Sequence, residues 1–229
     1  MSRFQKWRDM RHKTKVNIAI GLILVIGGLA LVGYPAWLWV EGKIEQYHLE
    51  QAFNNPSIEF PDEEYVRPQV PGNGDNDDYV VDIPEWTDFP PTKVVIPKLD
   101  VDVNVVAVDD LDIFARRLNH PPGYYPTSAY PGQVGNVTIA GHRDGPAGYF
   151  LRVNNLEAGD LVILETPGYS FRYEVERVWI VEPTDWSVVA ETDYAALTLT
   201  TCQRVGTDSS AKRLIVRAKL KDVVLNDTE

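Results

Sequence analysis

The chain has 229 residues, of which 44% are hydrophobic and 24% are charged, and its formal net charge is −11. This length is enough for one domain of ordinary size and an accessory segment. The excess of acidic residues argues against a fold-wide nucleic-acid surface, because a phosphate backbone would be repelled. The single cysteine, Cys202, excludes an intramolecular disulfide framework and a zinc site built from several thiolates.

The first forty residues predict a membrane anchor. Residues 1–15 carry six Lys or Arg against one acid, and the 25 residues of 16–40 carry no charge. A helix needs about 20 apolar residues to cross a bilayer, and the apolar part of a cleaved secretory signal is shorter than this run. The basic cluster favours a cytoplasmic N-terminus. We therefore predict a basic cytoplasmic head (1–15), an uncleaved signal-anchor (16–40) rather than a cleaved signal, and an exported remainder in a single-pass cell-membrane protein.

Residues 41–91 have the composition of a spacer. They contain seven of the sixteen prolines, thirteen acids and only two bases. Such a segment lacks an apolar period and predicts an acidic, Pro-rich extracellular stalk, with a span of about 40 Å if it is flexible. Asp75, Asp77 and Asp78 suggest a calcium loop, but the ligand spacing and the twelfth-position Glu of an EF-hand are missing. Asp109, Asp110 and Asp112 also carry no ligand pattern, so we expect no metal and no cofactor.

From residue 92 onward the sequence predicts an all-β domain. Short runs rich in Val, Ile, Thr, Tyr and Phe alternate with Pro, Gly, Asn and Asp clusters. The runs are KVVIP, VDVNVVAV, NVTIAG, LVILET, SFRYEVERVWIV, ALTLTTC and RLIVRAKL. Seven or eight strands in about 130 residues indicate a closed barrel or a sandwich. We place this domain at 92–221, with one possible short helix at 111–119 and a C-terminal tail at 222–229.

Three chemically useful residues fall at strand ends. Cys202 ends LTLTTC, His142 follows VTIAG, and Arg213 opens RLIVRA. A thiolate nucleophile, an imidazole acid and a guanidinium that holds an oxyanion are sufficient for acyl transfer. Each residue also has a structural interpretation, namely a buried inert thiol, a turn histidine or a solvated arginine. His120 is a rival imidazole, and Lys212 is a rival cation without the planar fork of arginine.

The ordered motifs TIAGH (138–142), TLTTC (198–202) and RLIV (213–216) resemble those of the sortases, the cysteine transpeptidases of bacterial cell surfaces. The resemblance extends from about Lys93 to Leu220, and GHRDGPAGYF is most similar to the class D and class E groups. It implies a closed sortase-type β-barrel of about eight strands with short helices in its loops. The N-terminal anchor and the exported domain also match the layout of that family.

The resemblance also implies a mechanism and its partners. Cys202 would attack the Thr carbonyl of an LPxTG-like signal near the C-terminus of an exported protein, and His142 would protonate the departing amine. Arg213 would stabilise the oxyanion. An amine from a peptidoglycan precursor or a pilin Lys would then resolve the thioacyl enzyme.

Three further positions are implied as substrate-binding residues. In class E relatives a Tyr before the His strand is linked to the second position of the signal. Tyr125 is the matching residue here, Tyr124 is its neighbour, and Thr201 directly precedes the nucleophile.

Other functions remain alternatives. An L,D-transpeptidase would carry its cysteine in an S-H-G-C type motif, and a papain-like peptidase would place it at a helix start. Neither matches TTCQR at the end of a β run. A non-enzymatic alternative is a membrane-tethered acidic β-barrel that binds a surface polymer or protein. That alternative predicts a buried, unreactive Cys202.

Overall fold

The computed structural model describes residues 3–55, 89–108, 119–145, 147–203 and 212–226. The chain divides into two compact units, residues 1–41 and residues 42–229. The described residues of the first unit are helical. They form the first part of helix α1 (Arg3–Asn54), which continues into the second unit. Within α1, the segment Ile20–Asn54 is long and apolar enough to cross a membrane, and its most apolar stretch is not buried against protein. The predicted anchor at 16–40 lies in this helix.

In the described part of the second unit, eight strands form a closed barrel, which confirms the predicted closed β-barrel. The strands are β1 (Thr92–Ile96), β2 (Val101–Ala107), β3 (Gly123–Tyr124), β4 (Gly135–Ala140), β5 (Leu161–Thr166), β6 (Tyr169–Val181), β7 (Ala195–Cys202) and β8 (Arg213–Leu225). Where the connections are described, they contain short 3-10 helices at Pro97–Leu99, Val153–Asn155 and Trp186–Val189. The predicted helix at 111–119 lies, except for Asn119, outside the described residues, as do the six aspartates considered for calcium.

The strand order around the barrel is β1-β2-β3-β4-β7-β8-β6-β5, and β5 pairs with β1 to close it. Two neighbouring pairs, β2–β3 and β4–β7, are parallel, and the other pairs are antiparallel. Parallel neighbours present their C-terminal ends at the same edge of a sheet. The pair β4–β7 therefore brings the end of the predicted histidine strand beside the end of the predicted cysteine strand.

The hydrophobic core fills the barrel. Side chains alternate between the two faces of a strand, so every second residue points inward. On β7 the inward residues include Leu197 and Leu199, and on β8 they include Leu214 and Val216. The alternate residues of these strands, among them Cys202 and Arg213, lie on the outer face of the barrel.

The last turns of α1 belong to the second unit and pack against β1 and β2. The Gln46 side chain accepts a hydrogen bond from the Asn104 main-chain N–H at 3.0 Å and donates one to the Asn104 carbonyl oxygen at 3.3 Å. Glu50 accepts hydrogen bonds from Lys93 Nζ at 2.8 Å and from Asn104 Nδ2 at 3.1 Å. The structure therefore differs from the expected stalk at its start, since residues 41–54 are helical. Residues 56–88 lie outside the described residues.

The barrel also extends beyond its expected C-terminal limit. β8 continues to Leu225, although the sequence predicts a tail from residue 222. Asn226 then bonds to two other parts of the barrel: its Nδ2 donates to the Thr166 carbonyl oxygen at 3.0 Å, and its Oδ1 accepts from Ser170 Oγ at 2.6 Å. Residues 222–226 are thus part of the domain, because they complete the long β6–β8 pairing.

Candidate active site

The candidate site lies on the outer face of the barrel, where β4 and β7 end and β8 begins. β7 occupies the middle, paired in parallel with β4 and antiparallel with β8. Its outward residues are Thr198, Thr200 and Cys202, so a polar strip runs along the strand toward the thiol. The two threonines are buried, whereas Cys202 is exposed.

Cys202 and Arg213 meet directly. They are partners in the β7–β8 register, and directly opposed residues of an antiparallel pair project from the same face. Arg213 Nη1 donates a hydrogen bond to Cys202 Sγ at 3.1 Å. The pairing continues one step further, where Gln203 N–H donates to the Lys212 carbonyl oxygen at 2.7 Å. Main-chain pairing therefore places the thiol and the guanidinium side by side.

His142 follows β4 at the same edge. The parallel register pairs Ala140 with Thr200, and the Gly141 N–H continues it by donating to the Thr200 carbonyl oxygen at 3.1 Å. Two residues beyond Ala140 comes His142, just as Cys202 comes two residues beyond Thr200. The His142 carbonyl oxygen accepts a hydrogen bond from the Phe150 N–H at 3.1 Å. The main chain thus brings the histidine position to the strand end that carries the thiol.

Arg143 is a site residue that our sequence reasoning missed. Its Nη1 contacts the Gln203 Oε1 closely and lies 3.5 Å from the Cys202 carbonyl oxygen. Its Nη2 donates to Asn154 Oδ1 at 2.8 Å, and its Nε donates to the Leu151 carbonyl oxygen at 3.4 Å. The one available signal was its position directly after His142 in the GHR motif, which does not show what the guanidinium contacts.

Tyr125 lies beside the same group. The Tyr125 N–H donates to the Thr138 carbonyl oxygen at 2.9 Å, which holds the residue along β4. Burial raises the pKa of its phenol, while the nearby positive charge of Arg213 and a hydrogen bond with the Thr200 side chain oppose that rise. A negative charge on Cys202 would raise the pKa further. The phenol therefore stays protonated at neutral pH, as a polar group next to Arg213 and Cys202.

The structure corrects the expectation for the other two predicted substrate-binding residues. Tyr124 is fully buried and stacks on Phe89 with ring centroids 4.3 Å apart, so its ring is part of the core. Thr201 is 3% exposed and shares the inward face of Leu199. Its hydroxyl oxygen is buried and has no hydrogen-bond partner among the described residues. Neither side chain presents a surface to a substrate, since each is one residue out of phase with the outer face.

The rival residues are engaged elsewhere. His120 is 5% exposed, and its Nδ1 donates to the Pro121 carbonyl oxygen at 2.7 Å. Lys212 is next to Arg213 in sequence, but its Nζ forms an ion pair with Glu182 at 2.8 Å. Of the two neighbouring cations Lys212 and Arg213, it is therefore Arg213 whose N–H donor reaches the thiol.

The connection from β6 to β7 is fixed to the floor of the site. Buried Asn136 donates from Nδ2 to the carbonyl oxygens of Val188 at 3.1 Å and Ala190 at 3.0 Å. Its Oδ1 accepts from Thr198 Oγ1 at 2.7 Å, and Arg217 Nη2 donates to the Val188 carbonyl oxygen at 2.9 Å. These bonds hold a wall beside the polar strip of β7.

The arrangement suits acyl transfer. An exposed thiol lies against a fixed guanidinium, with a histidine position at the adjoining strand end and a protonated phenol nearby. Within the described ranges, no group of three or more His, Cys, Asp and Glu side chains is arranged to hold a metal ion. The sequence-based expectation that no metal or cofactor takes part stays a prediction.

A family model described as "Sortase domain" matches residues 94–221, which is more than half of the chain. The chain belongs to the sortase family. The matched region begins inside β1 and ends inside β8, so it contains β2 to β7 in full, part of β1 and of β8, and every predicted catalytic residue. The family resemblance inferred from the TIAGH, TLTTC and RLIV motifs is therefore confirmed.

Known sortases of several classes resemble this one. Sortase D of Bacillus subtilis is 32% identical over 126 residues, covering 54% of this chain and 60% of that relative. The likeness thus extends over less than two thirds of that protein. The Sortase D5 transpeptidase of Clostridium perfringens has a TM-score of 0.50 and 29% identity, covering 58% of this sortase and 79% of that chain. Sortase E1 of Streptomyces coelicolor, solved with a tripeptide in the active site, has a TM-score of 0.51 and 26% identity, covering 60% and 91%.

Proposed function

We propose that this sortase is a membrane-anchored cysteine transpeptidase that cleaves an LPxTG-like C-terminal sorting signal and transfers the protein to an amine. The observation that carries the proposal is the 3.1 Å hydrogen bond from Arg213 Nη1 to the exposed Cys202 Sγ, at the strand end that His142 shares. A peptide is also the ligand class found in the active site of Sortase E1 of Streptomyces coelicolor. The exposed thiol counts against the alternative of a binding module with a buried cysteine.

The reaction has two steps. In the first, the Cys202 thiolate attacks the Thr carbonyl carbon of the signal and forms a tetrahedral oxyanion. His142 gives a proton to the departing amine, the C–N bond breaks, and a thioester remains on Cys202. In the second, an acceptor amine attacks the thioester, loses its proton to His142, and displaces the thiolate. The new amide bond replaces the old one, so no external energy source is required.

Arg213 acts on the charge that develops during both steps. Its guanidinium is held against the thiol by the β7–β8 register, so it is already oriented before the substrate arrives. Preorganised donors of this kind typically contribute about 10²–10³ in kcat. Tyr125 completes the site as a protonated phenol that contacts the signal, beside the Thr200 side chain.

The proposed location follows from the charges around the helix. Residues 1–15 have a net charge of +5, and residues 41–91 have thirteen acids against two bases. The positive-inside rule places the basic end in the cytoplasm and the catalytic unit outside the cell. The partners are then the sorting signals of exported proteins, with a peptidoglycan precursor or a pilin Lys as the acceptor amine. The part of residues 41–91 that follows the helix would serve as the stalk.

A peptide assay tests this function. The full chain in detergent is mixed with LPxTG and LAxTG peptides and an amine, and mass spectrometry follows the mass of Cys202 and of the peptide. We expect a thioacyl adduct on Cys202 that converts to an amine-capped peptide. Cys202→Ala should form neither species while keeping the thermal unfolding midpoint, because the exposed thiol contributes little packing.

Two controls make the assay decisive. Arg213→Lys keeps the charge and loses the planar fork, so it should still lower kcat about 10²-fold. Lys212→Arg adds a guanidinium next to the site without touching the thiol and should leave kcat unchanged. If no peptide forms an adduct and alkylating reagents do not reach Cys202, the binding-module alternative replaces this proposal.

A further inference from the structure

Arg143 joins three separate segments of the chain around the nucleophile. It lies in the loop after β4, and it bonds to Asn154 and the Leu151 carbonyl oxygen in the following loop. From the same guanidinium, Nη1 reaches Gln203 Oε1 and the Cys202 carbonyl oxygen at the end of β7. A planar fork with five donors can serve these directions at once, which a single ammonium group cannot.

The position of this clamp gives it a functional meaning. Two arginines contact Cys202, one from each strand that flanks β7. Arg213 at the start of β8 contacts the thiol, and Arg143 after β4 contacts the main chain. His142 immediately precedes Arg143, and its carbonyl oxygen is already bonded to the Phe150 N–H. Whatever fixes Arg143 to the end of β7 therefore also fixes the distance between the histidine loop and the nucleophile.

We propose that Arg143 is a positioning residue, which ties the loop that carries His142 to the strand end that carries Cys202. This inference rests on the proposed transpeptidase function and deepens it. Arg143 touches neither the thiol nor the oxyanion position that Arg213 serves; it acts through the placement of the imidazole against the thiol. The β4–β7 register brings the two strand ends together, and the clamp holds the loop beyond the last pair of that register.

Two substitutions and one matched control separate positioning from other roles. Arg143→Gln removes both the charge and the fork, whereas Arg143→Lys removes only the fork. Arg152→Gln is the control, because Arg152 also donates from its guanidinium to a main-chain carbonyl, that of Leu99, and forms no hydrogen bond with β7 among the described residues. All variants are studied as the full chain in detergent, at a temperature well below their unfolding midpoints.

The kinetic expectation follows from the loss of alignment. Both Arg143 variants should lower kcat about 10- to 100-fold, since a misplacement of about 1 Å can cost that much, while KM changes less than about threefold. Arg152→Gln should keep the wild-type kcat. A lysine variant with wild-type kcat would show that only the charge of Arg143 matters, and a rise in KM at constant kcat would show a substrate contact. Either result overturns the proposal.

A second measurement does not depend on turnover. The rate of Cys202 alkylation by iodoacetamide is recorded against pH, because the groups around the thiol determine that profile. We expect Arg143→Lys and Arg143→Gln to change the profile in the same way, and Arg152→Gln to leave it as in the wild type. Unchanged profiles in both Arg143 variants would refute the clamp. If the wild type transfers no peptide, the transpeptidase proposal fails, while this profile still decides the role of Arg143.

Discussion

Gly141 shows how tightly the histidine loop is built, and its replacement gives a sharp prediction. A Cβ added at Gly141 would lie 2.5, 2.7 and 3.0 Å from Cδ2, Cε2 and Cγ of Phe150. Carbon atoms in contact are normally about 3.5–4.0 Å apart, so the ring or the loop must move by about 1 Å. Phe150 is fully buried, so a shift of its ring must disturb the core residues around it. Gly141→Ala therefore overpacks the core at the base of the site.

Gly141→Ala should lower both the stability of the protein and its catalytic rate. Overpacking of this kind costs about 1–3 kcal/mol, which corresponds to roughly 2–12 °C in the unfolding midpoint for a domain of this size. The Phe150 N–H is bonded to the His142 carbonyl oxygen, so a displaced Phe150 also displaces the histidine position. We expect kcat to fall about 100-fold. Thermal unfolding followed by circular dichroism and the peptide-transfer assay measure the two parts separately.

Two comparisons decide whether crowding is the cause. Gly141→Ala combined with Phe150→Leu should recover part of the stability and the rate, because Leu leaves space for the new methyl group. Gly159→Ala is the control: its φ of +94° makes Ala strained, but nothing lies within 4 Å of the added Cβ. That variant should lower the midpoint and leave kcat unchanged. A Gly141→Ala protein with wild-type midpoint and kcat would refute the crowding argument.

Three further outcomes are expected in thermal or chemical unfolding. Asp160→Asn should destabilise the protein slightly at neutral pH, because the hydrogen bond from Lys98 lowers the pKa of this carboxyl and solvent screens the pair. The stabilisation is present above the ordinary Asp pKa, so the difference should vanish as the pH falls through the lowered value. Glu165→Gln should instead stabilise the protein at neutral pH, since burial and the charge of Asp102 raise the pKa of Glu165. This gain in stability should disappear in acid, where Glu165 is protonated. For either variant, a stability difference that does not change with pH would contradict the assignment. A chain that begins at residue 56 lacks the hydrogen bonds of Gln46 and Glu50. Its unfolding midpoint should therefore lie roughly 4–10 °C below that of a chain that begins at residue 42. Equal midpoints would show that these bonds contribute nothing to stability.

Most of the barrel could be predicted from the sequence because its strands carry their own local pattern. Each of the seven apolar runs became a strand, and LVILET matches β5 residue for residue. The missing strand, β3, has only two residues, Gly123 and Tyr124. Its conformation is fixed by pairing with β2 on one side and β4 on the other. Such long-range pairing leaves no pattern in the local sequence, so β3 could not be predicted from it.

The same limit explains the errors at the site. Tyr124 and Tyr125 are neighbours in sequence, and only the register of β3 against β4 decides which one faces the core. Thr201 fails for the same reason, since it alternates with Cys202 along β7. The contacts of Arg143 depend on three segments brought together by the barrel. The helical residues 41–54 were hidden by the acidic and Pro-rich character of the segment as a whole, although none of its prolines falls before residue 56.

Cys202 and Arg213 oppose each other directly in adjoining strands, so the contact between them comes from strand pairing rather than from the loop that connects the strands. Main-chain pairing, which extends to Gln203 and Lys212, places the two side chains next to each other through the strands themselves. We therefore expect the connection of residues 204–211 to accept lengthening, or exchange for a foreign peptide, while the thiol keeps its cationic neighbour. It is therefore the place on this enzyme to graft a recognition sequence or a reporter tag, and a place where specificity can evolve without rebuilding the nucleophile.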